Sequence, residues 1–207
     1  EGARGQQDMA NLPAVAMCLI CLQGADAPKE VRAPTRGSER VVHAFDFDER
    51  DKGNLEALPK YWERLESDLF PIFAGGEFDF KVGRARPPSF HLAARGRDIA
   101  FAYRGDATRV EPGKHYRIEG FVRPDRLVHG RVCLSAAYRK ADGTILIETL
   151  VRSRYVGGQF EADWQRADLY LPAAPAGADA IVVIAWVLQE SRWDTGLTFV
   201  REIDRVD

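Results

Sequence analysis

From Val41 to Val206 apolar and polar residues alternate with a period of two, in short runs closed by turn residues. That pattern excludes more folds than any other feature of the chain. A period of two sets alternate side chains on opposite faces of a strand, whereas a helix needs 3.6. Glu77 to Val82 (EFDFKV) places Phe78, Phe80 and Val82 on one face. His115 to Arg123 aligns Tyr116, Ile118, Gly120 and Val122, and Arg131 to Tyr138 aligns Val132, Leu134, Ala136 and Tyr138. Further strands are expected over Val41–Phe47, Ser89–Ala94, Asp98–Arg104, Thr144–Arg152, Trp164–Leu171, Ala180–Leu188 and Thr198–Val206. Arg95-Gly96-Arg97, Glu111-Pro112-Gly113-Lys114 and Ala141-Asp142-Gly143 are the punctuation between them.

About ten short strands at near-regular spacing predict an all-β sandwich of the jelly-roll kind. Ala180–Leu188 is apolar on both faces and is expected at the centre of a sheet. One segment, residues 54–66 (Asn54 to Glu66), has a helical pattern that Pro59 interrupts, so a short helix across one end of the sandwich is expected there. A chain of 207 residues with 45% hydrophobic residues can bury a core of this size. A net charge of −2 excludes nucleic-acid binding driven by a basic surface.

Residues 1–27 read differently. Leu12–Leu22 is an uncharged run of eleven residues, about half of what a membrane-crossing helix requires. Ala25-Asp26-Ala27 follows with the small-x-small pattern of a cleavage site. The expected organisation is a signal-peptide-like segment over 1–27, a linker over 28–40 and a β-sandwich domain over 41–207, with the sandwich as the N-terminal part of a longer protein. The expected location is secreted, periplasmic or in the cell envelope. An uncleaved segment acting as a membrane anchor is the competing reading. Cys18 and Cys21 lie inside the apolar run and read as apolar filler, and Cys133 as a small buried hydrophobe.

Val110–Arg123 (VEPGKHYRIEGFVR) resembles the P-G-K-x-Y strand of carbohydrate-binding modules with a galactose-binding-like jelly roll. Trp164 is similar to the family's W-x-x-hydrophobic position, and Ala173–Ile184 (AAPAGADAIVVI) to its P-x-G-A-x-x-hydrophobic segment. Tyr61–Leu65 (YWERL) resembles secreted bacterial proteins that carry this domain. The resemblance spans Val41 to Val206 and is carried by Val110 to Leu188. The family's closing strand often holds paired Asp residues, and only Glu202-Ile203-Asp204 stands here. The resemblance implies an exported, non-catalytic accessory domain with a carbohydrate as partner.

Sugars are bound by flat aromatic faces flanked by planar polar groups. The residues expected to bind a ligand are Trp62, Arg64, Trp164, Gln189, Glu190, Arg192 and Trp193. Trp62 and Trp193 are expected at the surface, each near an arginine, and Trp186 in the core. Arginine supplies 23 of the 29 basic residues, so acidic sugars are among the ligands considered. Asp46 and Asp48, with Glu49 and Asp51 beside them, are the candidate ligands for a structural calcium ion, which jelly-roll modules of this type often carry. Two other functions stay open: a structural or protein-interaction domain of the cell envelope, and a polysaccharide-degrading enzyme using a trio such as His91, Tyr103 and Arg104.

Overall fold

The computed structural model describes residues 40–65, 75–94, 98–125, 127–158, 163–189 and 204–206. Its main sheet contains β1 (Trp62–Arg64), β4 (Ile99–Tyr103), β10 (Ala180–Gln189), β6 (Leu127–Arg139) and β7 (Ile145–Arg152), in that order. A short β8 (Val156–Gly158) also pairs with β6. A three-stranded sheet, β11 (Asp204–Val206), β3 (Ser89–Ala94) and β2 (Gly75–Asp79), and a two-stranded ribbon of β5 (Tyr116–Val122) and β9 (Gln165–Leu171) form the second layer. All the pairings are antiparallel.

The core lies between the two layers. Ile99, Phe101 and Tyr103 of β4, Ile181, Val183 and Val187 of β10, and Val132, Ala136 and Tyr138 of β6 share one face of the main sheet. Packed against them are Phe90, Leu92 and Ala94 of β3, Val122 of β5, and Ala167, Leu169 and Leu171 of β9. Gly120 lets the ribbon approach closely, because a Cβ there would sit 2.2 Å from Leu134 Cδ1. The Tyr138 hydroxyl donates to Pro172 O at 2.6 Å, which meets the polar need of an otherwise sealed ring.

The opposite face of the main sheet is buried too. Ala100, Ala102, Cys133, Val182, Ile184 and Trp186 form a second cluster, with Leu65, Ile145, Ile147 and Leu188 against it. Trp186 Nε1 donates to Ser135 Oγ at 2.7 Å. This two-sided burial is why β10 is apolar throughout, and it puts Trp186 and Cys133 in the core as expected.

The structure corrects three local expectations. Val41–Phe47 is not a strand: Phe45 and Phe47 both turn inward, but Phe47 has φ 53°, which breaks the pleat. Residues 54–65 form bends and turns followed by β1, not a helix. Pro59 blocks a helix there, and the buried Asn54 amide binds loop backbone instead, donating to Leu58 O at 3.0 Å and accepting from Glu56 N at 3.0 Å. β2 ends at Asp79, so Phe80 and Val82 lie outside the strand. Of the last expected strand, Asp204–Val206 is found and residues 198–203 lie outside the described residues.

Candidate functional site

Loops 46–60 and 80–88 meet at one end of the three-stranded sheet, and their hydrogen bonds explain why they hold a shape. Glu49 Oε2 accepts from Asn54 Nδ2 and from Lys60 N, both at 2.7 Å. Phe78 N donates to Ala57 O at 3.1 Å, which fastens the first loop to β2. Arg86 pairs with Asp48 at 2.9 Å and joins the two loops. Gly83 is required at the second turn, since a Cβ would lie 2.0 Å from Arg86 O. The first loop begins and ends in left-handed backbone, at Phe47 (φ 53°) and Tyr61 (φ 64°). Each such residue costs about 1–2 kcal/mol, which the surrounding ring contacts and hydrogen bonds must offset.

Phe80 is the product of this arrangement. Asp79 Oδ1 accepts from Lys81 N at 2.7 Å and from Val82 N at 3.2 Å, which turns the chain off the sheet just after the strand. The next ring is thereby presented to solvent at 47% exposure, while Phe78 beneath it, 5.6 Å between centroids, stays buried. The Arg50 guanidinium lies 4.7 Å from the Phe80 ring centre. Two adjoining depressions share Arg50 and Phe80. One, of about 280 Å³, is lined by Asn54, Leu55, Glu56, Ala57, Glu77 and Phe78. The other, of about 190 Å³, is lined by Asp48, Asp51, Pro87 and Pro88. Nothing in the sequence marked Phe80 as exposed, because alternation alone assigns it to the same face as Phe78.

The residues expected to bind ligand are distributed otherwise. Trp62 is sealed at 7% exposure, so its expected surface position is corrected. Its ring packs on Phe90 at 5.3 Å, Phe45 at 5.5 Å, Tyr103 at 5.9 Å and Phe47 at 6.2 Å. The cause is register: Trp62 pairs with Tyr103, whose side chain faces the inter-layer core. Arg64 ends β1 half-buried opposite Phe101, and Trp164 is half-buried just before β9. Gln189 ends β10 opposite Gly130. Glu190, Arg192 and Trp193 lie outside the described residues.

The expected calcium set does not assemble. Asp46 pairs with Lys52 at 3.1 Å and Asp48 with Arg86 at 2.9 Å, so each carboxylate meets a cation rather than the other. Among the described residues no group of three or more His, Cys, Asp or Glu could hold a metal ion. The Lys52 hydrogen bond holds the Asp46 carboxyl below its ordinary value. Tyr103, one of the trio considered for catalysis, is sealed in the core, and burial pushes its hydroxyl upward.

The two layers define a fold: an all-β sandwich of the jelly-roll kind. The chain is similar in fold to the N-terminal CBM22-1–CBM22-2 tandem domain of Paenibacillus barcinonensis Xyn10C, with a TM-score of 0.50 and 12% identity over 84% of this chain and 50% of that one. The CBM22-2 xylan-binding domain of the same protein matches with a TM-score of 0.43 and 10% identity, over 73% of this chain and 90% of that one. The enzymatically active domain of bacteriophage CBA120 tailspike protein 4 matches at 0.46 and 14% identity over 70% of this chain, which spans 18% of that one. No family model and no curated protein matches the chain.

Proposed function

We propose that this chain is a non-catalytic carbohydrate-binding domain, exported and accessory in role, whose ligand lies across Phe80. The observation that carries the reading is an exposed ring between two depressions lined by carboxylates and a guanidinium. A sugar ring has an apolar CH face and a rim of hydroxyls. Phe80 offers a surface to the first, Asp51, Glu56 and Glu77 accept from the second, and Arg50 donates to it. The depressions are open and smaller than pockets that engulf a ligand, which run to roughly 300–1,000 Å³. A surface-lying saccharide fits that form. Affinity in the micromolar to millimolar range, about −8 to −4 kcal/mol, is the expectation.

The jelly-roll fold shared with the CBM22 tandem domain supports the same reading. Export is supported by the apolar run and small-x-small pattern of residues 1–27. No helix among the described residues is long and apolar enough to cross a membrane.

Calorimetric titration of the chain against a panel of neutral, amino and acidic glycans tests the proposal. Binding that Phe80→Ala removes from a chain with an unchanged melting temperature is the expected result. Silence across the whole panel overturns it. Turnover of polysaccharide in a reducing-end assay would move the chain to the enzymes, and a stable assembly by sedimentation without glycan binding would make it an interaction domain.

A further inference from the structure

The groove is defined by its two depressions and by Phe80, and its unpaired charges decide what it takes. Asp51, Glu56 and Glu77 line it, are exposed, and have no ion-pair partner among the described residues. Asp48 also lines it but is neutralised by Arg86. Among the described residues the single lining cation is Arg50, stacked on Phe80. The groove therefore presents three uncompensated carboxylates against one guanidinium.

The arginine-rich composition put acidic sugars among the ligands considered, but many arginines already serve the chain's own carboxylates. Arg104 pairs with Glu63 at 3.3 Å, Arg139 with Asp106 at 2.8 Å, and Arg166 with Glu119 at 2.6 Å and Asp168 at 2.7 Å. Arg117 also pairs with Glu119. None of these lines the groove. A uronate placed on Phe80 would meet the three free carboxylates, whereas a protonated amine would be drawn to them.

Resting on the carbohydrate-binding reading, we propose that the Phe80 groove selects glycans carrying free amino sugars, with Glu56 and Glu77 as the specificity-determining residues. The amine takes the place of a hydroxyl at the ring's rim, donates up to three hydrogen bonds and brings the opposite charge. Glu77 is held on β2 opposite His91, and Glu56 in the loop fixed by Asn54, so both carboxylates are anchored at their backbone.

The test titrates the full chain with three hexasaccharides of matched linkage: β-1,4-glucosamine, its fully N-acetylated form, and a uronate. At low salt the glucosamine hexamer is expected to bind at least about tenfold more tightly than the acetylated one, a difference of about 1.4 kcal/mol. Salt at about 1 M, where the screening length shrinks to about 3 Å, should erase most of that preference. Glu56→Gln with Glu77→Gln should erase it at low salt while leaving the melting temperature in place. A uronate or acetylated preference overturns the proposal, as does an amine preference that survives both glutamines. If none of the three binds but a neutral glycan from the panel does, amino-sugar selection is refuted and carbohydrate binding stands. If nothing binds at all, both fall.

Discussion

Two groups of aromatic rings pack near the loop that runs from Asp46 to Lys60, and they behave in opposite ways. Phe45, Phe47, Trp62, Phe90 and Tyr103 are packed together, with Trp62 and Tyr103 below a tenth exposed. Phe80 stands open to solvent with Phe78 behind it and Arg50 over it. Residue type does not separate the two groups, since each contains phenylalanine beside acidic and basic neighbours. Ladder pairing separates Phe80 from Trp62, Phe90 and Tyr103, while Phe45 and Phe47 join the buried cluster from an unpaired segment. Trp62 pairs with Tyr103 and must share the face that Tyr103 turns to the core. Phe80 lies one residue beyond the end of a strand, where the Asp79 turn releases it from any face. A ring held by a ladder stabilises the fold, and a ring just past one is free to meet a ligand.

The largest effect that tests this contrast belongs to Trp62. Trp62→Ala should lower unfolding free energy by about 3–5 kcal/mol in a denaturant titration, through lost burial and the cavity left behind. A loss under 1 kcal/mol would mean that the cluster is not the core it looks like. Asn54→Ala comes next. It removes a buried amide that binds Glu49, Leu58 and the Glu56 backbone, so about 1–3 kcal/mol of stability and much of the groove's shape should go together. Glycan binding that survived this change would separate the loop's order from the site.

Phe80→Ala should reverse that balance. Stability is expected to move by less than about 0.5 kcal/mol, as for an exposed position, while glycan affinity falls about tenfold or more. Equal losses of both would erase the distinction between the two ring groups. The smallest effect belongs to the Asp46–Lys52 pair. Asp46→Asn should change stability by about 0–1 kcal/mol at neutral pH, because the pair is exposed. The sign of its pH dependence follows from the lowered Asp46 value. The pair's contribution is full above the ordinary 3.8 and disappears as pH falls below it through the lowered value, so wild type and variant should converge in acid. Chelator should leave the melting temperature of wild type unchanged, since Asp46 and Asp48 face cations. A drop of several degrees would restore the calcium reading.

Much of the architecture was legible because alternation is a property of the backbone and survives any tertiary context. β3, β4, β5, β6, β7, β9 and β10 fall where the period of two placed them. The fully apolar Ala180–Leu188 segment became the central strand, flanked by β4 and β6 and buried on both faces. The failures have a common cause. Val41–Phe47 alternates and buries its phenylalanines, yet no ladder partner takes it up. Residues 54–66 have helical spacing, but Asn54 and Pro59 redirect the chain by contacts that no local pattern encodes. The site suffered in the same way. Trp62 read as a loop residue because a three-residue strand is too short to show a period.

The order of apolar and polar side chains, and hence a two-layer β fold with its turns, is fixed along the chain itself, since neighbouring residues impose it on one another. Which strands lie side by side, and where each ladder stops, depends on residues far apart in sequence. Those two choices decided that Trp62 is sealed, that Phe80 is exposed, and that Asp46 and Asp48 each meet a cation. Burial and charge pairing are properties of neighbours in space, and only the folded chain brings those neighbours together.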